Sequence, residues 1–92
     1  MAEVRAEIDA LDRAIVALLA DRLHYIDEAA RIKRRREQVR DEARIADVLA
    51  KVVMETQRLG ADGALIADVY RVLIEASITR EFERFDRLRE RA

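Results

Sequence analysis

The stretch "EVRAEIDALDRAIVALLADRLHYIDEAARIK", residues 3–33, contains neither glycine nor proline. Its apolar residues Val4, Ile8, Leu11, Ile15 and Leu18 recur at intervals of four and three. That rhythm lines one face of an α-helix, and nothing interrupts it from Ala2 to about Glu37. A helix of that length is a rod about 50 Å long. A compact globule of 92 residues is only about 25 Å across. Such a rod either lies half exposed or finds a second chain, and a dimer with the long helices wrapped together is the natural solution.

The remainder of the chain carries the same alphabet. It is 51% hydrophobic and 40% charged, with two glycines and no proline, a composition of long amphipathic helices. A second helix is expected from Asp41, as its N-cap, through Ile45, Val48, Leu49 and Val52 to about Leu59, with Gly60 just past its end. Asp62 is placed to cap a third helix, with Leu65, Ile66, Val69, Leu73, Ile74, Ile78, Phe82 and Phe85 on one face. The charged tail "REFERFDRLRERA", residues 80–92, is expected to fray at its end, and the connection at 37–41 to be the mobile loop. The fold class is therefore all-α, a single domain over residues 1–92 with three helices and a very long first helix. Disulfides and thiolate metal sites are excluded because cysteine is absent, and one histidine argues against a histidine metal site. No charged-then-apolar leader and no apolar run of membrane-spanning length is visible, so a cytoplasmic protein is the default expectation.

Continued past Leu18, the apolar stripe of the first helix reaches Arg22, then Ile26, Ala29 and Lys33. Eleven residues return Arg22 and Lys33 to within about 20° of each other, about 16 Å apart along the axis. Either each cation reaches out to solvent or an acid, or their long side chains converge on one ligand. Arg5 lies about 25 Å and about 100° from Arg22. It cannot share a site with Arg22 of its own chain, but an antiparallel dimer would bring it to the partner's site. Ser77 and Glu81, one helical turn apart, interrupt the apolar run of the third helix. Arg44 falls in the first turn of the second helix, where positive charge opposes the helix dipole. Residues 31–44 hold seven arginines and lysines, although the whole chain is formally −1. Nucleic acid is one reading of that cluster, but the acids outnumber the bases and no aromatic residue lies among the bases to stack on nucleotides. A small dianionic ligand is the other reading.

These residues resemble the all-helical chorismate mutases. "VRAEIDALDRAIVALLADR" (4–22) is similar to the family's opening, "AARIK" (29–33) to the segment ending in its catalytic lysine, "VRDEAR" (39–44) to the start of its second helix, and "LIEASITRE" (73–81) to its third-helix segment. "LHYIDEAARIK" (23–33) is also similar to the isochorismate-pyruvate lyases. The resemblance implies an intertwined homodimer with two shared sites that rearranges chorismate to prephenate without metal or cofactor. It implies that Arg22 and the partner subunit's Arg5 bind the two substrate carboxylates. Lys33 would donate to the ether oxygen of the breaking bond, with Arg44 adding positive potential. Asp41 would lie near the ring hydroxyl, Ser77 near a carboxylate, and Glu81 at the place of the second ether-oxygen donor, where glutamine is the commoner bacterial residue. Ile45 stands where many mutases carry a glutamate for the ring hydroxyl. Arg34, Arg35, Arg36 and Arg40 are expected to form a solvated face. The alternatives are an isochorismate-pyruvate lyase, a 4-amino-4-deoxychorismate mutase, and, outside this class, a non-enzymatic helical binding module.

Overall fold

The structure, a computed structural model, describes residues 1–90. Three helices account for most of it: α1, Ala2–Ile32; α2, Glu42–Leu59; and α3, Gly63–Glu90. A single 3-10 turn, Arg36–Gln38, sits between α1 and α2. The described chain has no strand, and none of its helices is long and apolar enough to cross a membrane.

The caps of α2 and α3 follow from their sequence. The Asp41 carboxylate accepts from the Arg44 N–H at 3.1 Å, and the Asp62 carboxylate accepts from the Leu65 N–H at 3.1 Å. Each satisfies one of the N–H groups that a helix start leaves open. Gly60 closes α2 at φ 66°, left-handed backbone that glycine enters without a Cβ penalty.

The first helix is shorter than its uninterrupted sequence predicts, ending at Ile32 rather than near Glu37. Lys33 is already extended, at φ −62° and ψ 140°. Two contacts replace the helical bonds lost there. The Gln38 side-chain oxygen accepts from the N–H groups of Arg34 and Arg35. Arg89 of α3 donates to the carbonyls of Ala30 and Lys33, which a longer helix would have given to Arg34 and Glu37. The turn lets Val39, 3% exposed, join Ala30 and Phe85 in the buried cluster. Burial of one valine and capture of two carbonyls thus stop a helix that local propensity would extend. The connection begins at Lys33, not at Glu37, and contains the 3-10 turn.

Helix α3 packs against both other helices, while α1 and α2 do not pack on each other. Its inward ridge is Ala67, Ile74, Ser77, Glu81 and Phe85. Leu65 and Val69, expected on one face with Ile74 and Phe85, lie off this ridge and are 59% exposed in the single chain. The tail is engaged as far as Arg89, and its last two positions, where fraying is expected, lie outside the described residues. Arg36 stacks on Phe82 and pairs with Asp86, and Arg89 stacks on Phe85.

Only the C-terminal half of α1 is covered. Every residue from Met1 to Leu18 is exposed, and the stripe Val4, Ile8, Leu11, Ile15 and Leu18 ranges from 49% to 67% exposed. The chain measures 53 × 27 × 16 Å with a radius of gyration of 16.0 Å. A compact domain of this length would have a radius near 12 Å.

A paired set of bonds fastens α1 to α3 at the surface. Arg80 donates to both oxygens of Asp27, at 3.0 and 2.9 Å. That hydrogen bonding holds the Asp27 carboxyl below its ordinary range, against the opposing effect of partial burial. A carboxyl lowered in the folded state stabilises the fold above its unfolded value, near pH 4. Asp27→Asn is therefore expected to cost about 0.5–1 kcal/mol at neutral pH, discounted for solvent screening of the half-exposed arginine. The deficit should start to shrink near pH 4 and vanish once the pH has fallen through the lowered folded-state value. Thermal unfolding of both proteins at matched concentration from pH 2 to 7 checks it, and a deficit that does not shrink as the pH falls below 4 contradicts it.

Candidate active site

The gap that α1 and α2 leave over α3 is a cavity of about 460 Å³, within the range of small-molecule sites. Its walls carry Arg22 and Lys33 from α1 and its cap, Asp41 and Arg44 from the start of α2, and Ser77 and Glu81 from α3. Six of the seven residues singled out in the sequence thus border one space. The seventh, Arg5, does not. It sits on the exposed N-terminal half of the same chain's α1, and the cavity of its own chain is lined without it.

Helix geometry explains the convergence. Arg22 and Lys33 return to one face after three turns. Ser77 and Glu81 are successive turns of α3 and meet them in the same order. Arg22 donates to the Ser77 hydroxyl oxygen at 2.6 Å, and Lys33 Nζ donates to a Glu81 carboxylate oxygen at 2.6 Å. Ser77 in turn donates to the Leu73 carbonyl at 2.7 Å, so its proton is committed and its oxygen is left to accept. Ser77 and Glu81 are 4% and 5% exposed. Buried polar groups need such partners, and among the described residues no buried side-chain nitrogen or oxygen lacks one.

Arg44 is arranged differently. Its guanidinium is exposed and donates to Asp47 at 2.6 Å, one turn along α2. Lys51 donates to the same carboxylate at 3.1 Å. Lys51 and Arg44 together hold the Asp47 carboxyl below the usual range, the Lys51 hydrogen bond being the largest influence. The cation that conflicts with the α2 dipole therefore has an acid beside it. Asp41, whose carboxylate caps α2, forms the adjoining wall.

The other walls are largely apolar: Ile26 and Ala29 of α1, Val39 of the connection, Ile45 and Val48 of α2, and Ile74 and Ile78 of α3. Tyr25 also borders the cavity, although 72% exposed. The signal for it was its spacing, three residues from Arg22 and so on a neighbouring part of the same face.

The remaining bases of residues 31–44 point elsewhere. Arg36 pairs with Asp86, Arg35 with Glu37, and Arg40 with both Glu42 and Glu75. Hydrogen bonds from Arg40 draw the Glu75 carboxyl below its ordinary range. These side chains form an exposed face of ion pairs rather than a field of free cations.

The arrangement can bind an anion with fixed N–H donors and can place an ammonium beside a reacting oxygen. Its immediate partners include no side chain set up as a nucleophile with an adjacent base. Comparison with known families agrees with the motifs: the model described as chorismate mutase type II matches residues 4–82. No curated protein matches the chain.

Proposed function

This chain belongs to the chorismate mutase type II family, and we propose that it rearranges chorismate to prephenate in a site shared between two subunits. The observation that carries the reading is the meeting of Arg22 and Lys33, from α1 and its C-cap, with Arg44, from the start of α2, on one cavity with apolar walls. A doubly negative ring compound matches that lining, with cations for its carboxylates and apolar walls for its ring carbons. The rearrangement is pericyclic: the ether C–O bond breaks as a C–C bond forms, with no external nucleophile. A catalyst has only to hold the enolpyruvyl arm over the ring and stabilise charge gathering on the ether oxygen.

In this mechanism Arg22 takes one carboxylate with N–H donors oriented by its bond to Ser77. A bidentate grip from a planar guanidinium fixes direction as well as charge. Lys33 leaves Glu81 in part and donates to the ether oxygen. Arg44 turns from Asp47 toward the ligand and adds positive potential. The second carboxylate is taken by the partner subunit's Arg5. This proposal also accounts for the bare half of α1: five half-exposed apolar side chains on each of two chains represent on the order of 10 kcal/mol if covered by a second copy.

Glu81 sets a condition. In the free protein its carboxylate accepts from Lys33, and a carboxylate has no proton to give the ether oxygen. Only the protonated acid can act as the second donor. With chorismate as substrate, turnover by the wild-type protein is therefore expected to rise as pH falls. Glu81→Gln, with a permanent N–H donor, should show a flatter profile and be roughly tenfold or more faster than wild type at pH 8, since one such donor is worth about 10²–10³. A pH profile that the substitution leaves unchanged removes Glu81 from the mechanism.

One observation supports a second reading. Ile45 lines the cavity beside Asp41 and Arg44, so the wall there offers no second acid for a ring hydroxyl. An isochorismate-pyruvate lyase or a 4-amino-4-deoxychorismate mutase would also fit. Incubation with chorismate, isochorismate and 4-amino-4-deoxychorismate in turn, with identification of products, separates the three. Prephenate from chorismate supports the proposal. Salicylate and pyruvate from isochorismate, without prephenate, replace it with the lyase. A binding module without turnover is disfavoured by the pairing of Arg31, Arg35, Arg36 and Arg40 with acids, which neutralises most of that surface, Arg34 excepted, against a polyanion.

A further inference from the structure

We propose that Arg89, in the last turn of α3, is a positioning residue for Lys33. The inference rests on the role of Lys33 proposed above. Lys33 is where α1 stops, and its backbone is held on both sides. Its N–H donates to the Ala29 carbonyl at 3.0 Å. Its own carbonyl accepts from one arm of the Arg89 guanidinium, whose other arm donates to the Ala30 carbonyl at 2.8 Å. The guanidinium lies 3.7 Å from the centroid of the Phe85 ring. Phe85 is 6% exposed and packs with Ala30 and Val39. The fork is therefore braced from behind by a fixed aromatic face.

The consequence is geometric. Arg89 takes the carbonyls that would continue α1, so the chain leaves the helix at Lys33 and the Lys33 ammonium reaches Glu81 across the cavity. Glu81 and Arg89 are eight residues apart on one helix, about two turns. One helix thus holds Lys33 by its backbone and by its side chain. Without the fork, α1 can extend by a turn or the connection can shift, and the ammonium moves relative to the ether oxygen. A displacement of about 1 Å at a reacting group can cost up to roughly 10²-fold in rate.

A plain helix cap would also place an arginine at the end of α1, and the test separates the two roles. For Arg89→Gln, kcat with chorismate is expected to fall roughly tenfold or more, while KM changes less than about twofold, because Arg22 is held independently by Ser77. Arg89→Lys, which keeps the charge and one donor, should recover part of kcat. The losses should be non-additive with Lys33→Ala: the double variant should keep the residual rate of Lys33→Ala alone. Unchanged kcat, a further equal loss in the Lys33→Ala background, or a KM effect alone would overturn the proposal. If Arg89→Gln does not fold, Arg89→Lys decides: wild-type kcat there overturns it, reduced kcat with wild-type unfolding temperature supports it. The NMR signal of the Lys33 ammonium bonded to Glu81 gives a readout independent of turnover. It should shift or broaden in Arg89→Lys, and an unchanged signal overturns the inference. A wild-type protein that does not convert chorismate defeats the proposed function instead, and the ammonium signal then still tests whether Arg89 positions Lys33.

Discussion

Arg5→Ala and Lys33→Ala proteins, each nearly inactive alone, are expected to regain about a quarter of wild-type turnover when unfolded together in equal amounts and refolded, the fraction given by random pairing in a two-fold dimer. The reason is the position of Arg5. It stands on the bare half of α1 while Lys33 stands at the far end of the same helix, about 40 Å away at the rise of an α-helix. The two can serve one site only from different subunits. In a mixed dimer, one site combines an intact Lys33 with an intact Arg5 of the partner subunit, and the other site lacks both. Half of the dimers are mixed, and half of their sites work. Each single variant should lose roughly 10²-fold or more, the cost of removing one charge-bearing donor from a preorganised site. Turnover that stays at the sum of the two parents after refolding would mean that Arg5 belongs to no shared site.

The second large effect concerns assembly. Leu11 lies in the middle of the exposed stripe of α1 and is 63% exposed in the single chain. Read from the single chain alone, Leu11→Glu should be harmless or even favourable, since it replaces an exposed apolar group by a charge. In the proposed dimer it puts an unpaired carboxylate into each copy of the contact, at several kcal/mol per ion. Analytical ultracentrifugation should then find monomer at micromolar concentration, with turnover lost and thermal unfolding weak and non-cooperative. Leu11→Met keeps volume and polarity and should leave the assembly intact. A Leu11→Glu protein that remains dimeric and active would show that the α1 stripe is not covered by a second copy. The two experiments fail separately: a dimer using another face could survive the first and contradict the second.

Much of the fold could be read from local pattern. The stripe of α1, the caps Asp41 and Asp62 and the glycine stop at Gly60 each depend on a handful of neighbouring residues, and helix periodicity and capping are short-range effects. Arg22, Lys33, Ser77 and Glu81 stood out for the same reason, as polar groups on stripes that should have been apolar. At the end of α1, where the local reading went wrong, a distant contact was responsible. Nothing between Lys33 and Glu37 breaks a helix, yet Arg89 and Val39 end it there through partners that lie elsewhere in the chain. Leu65 and Val69 face outward for a local reason: at about 100° per residue they lie roughly 140–180° round α3 from Ala67 and Ile74, off the buried ridge.

From the order of its residues alone this protein was bound to be three long helices with two cations on an apolar stripe, because hydrogen bonding and side-chain period act between neighbours in sequence. The pairing of Arg22 with Ser77 and of Lys33 with Glu81, across 55 and 48 residues, was decided only when α1 packed on α3. The same packing set the early end of α1 and left a cavity where α1 and α2 fail to touch. Such contacts depend on how rigid helices share space, and no local stretch of sequence carries that information.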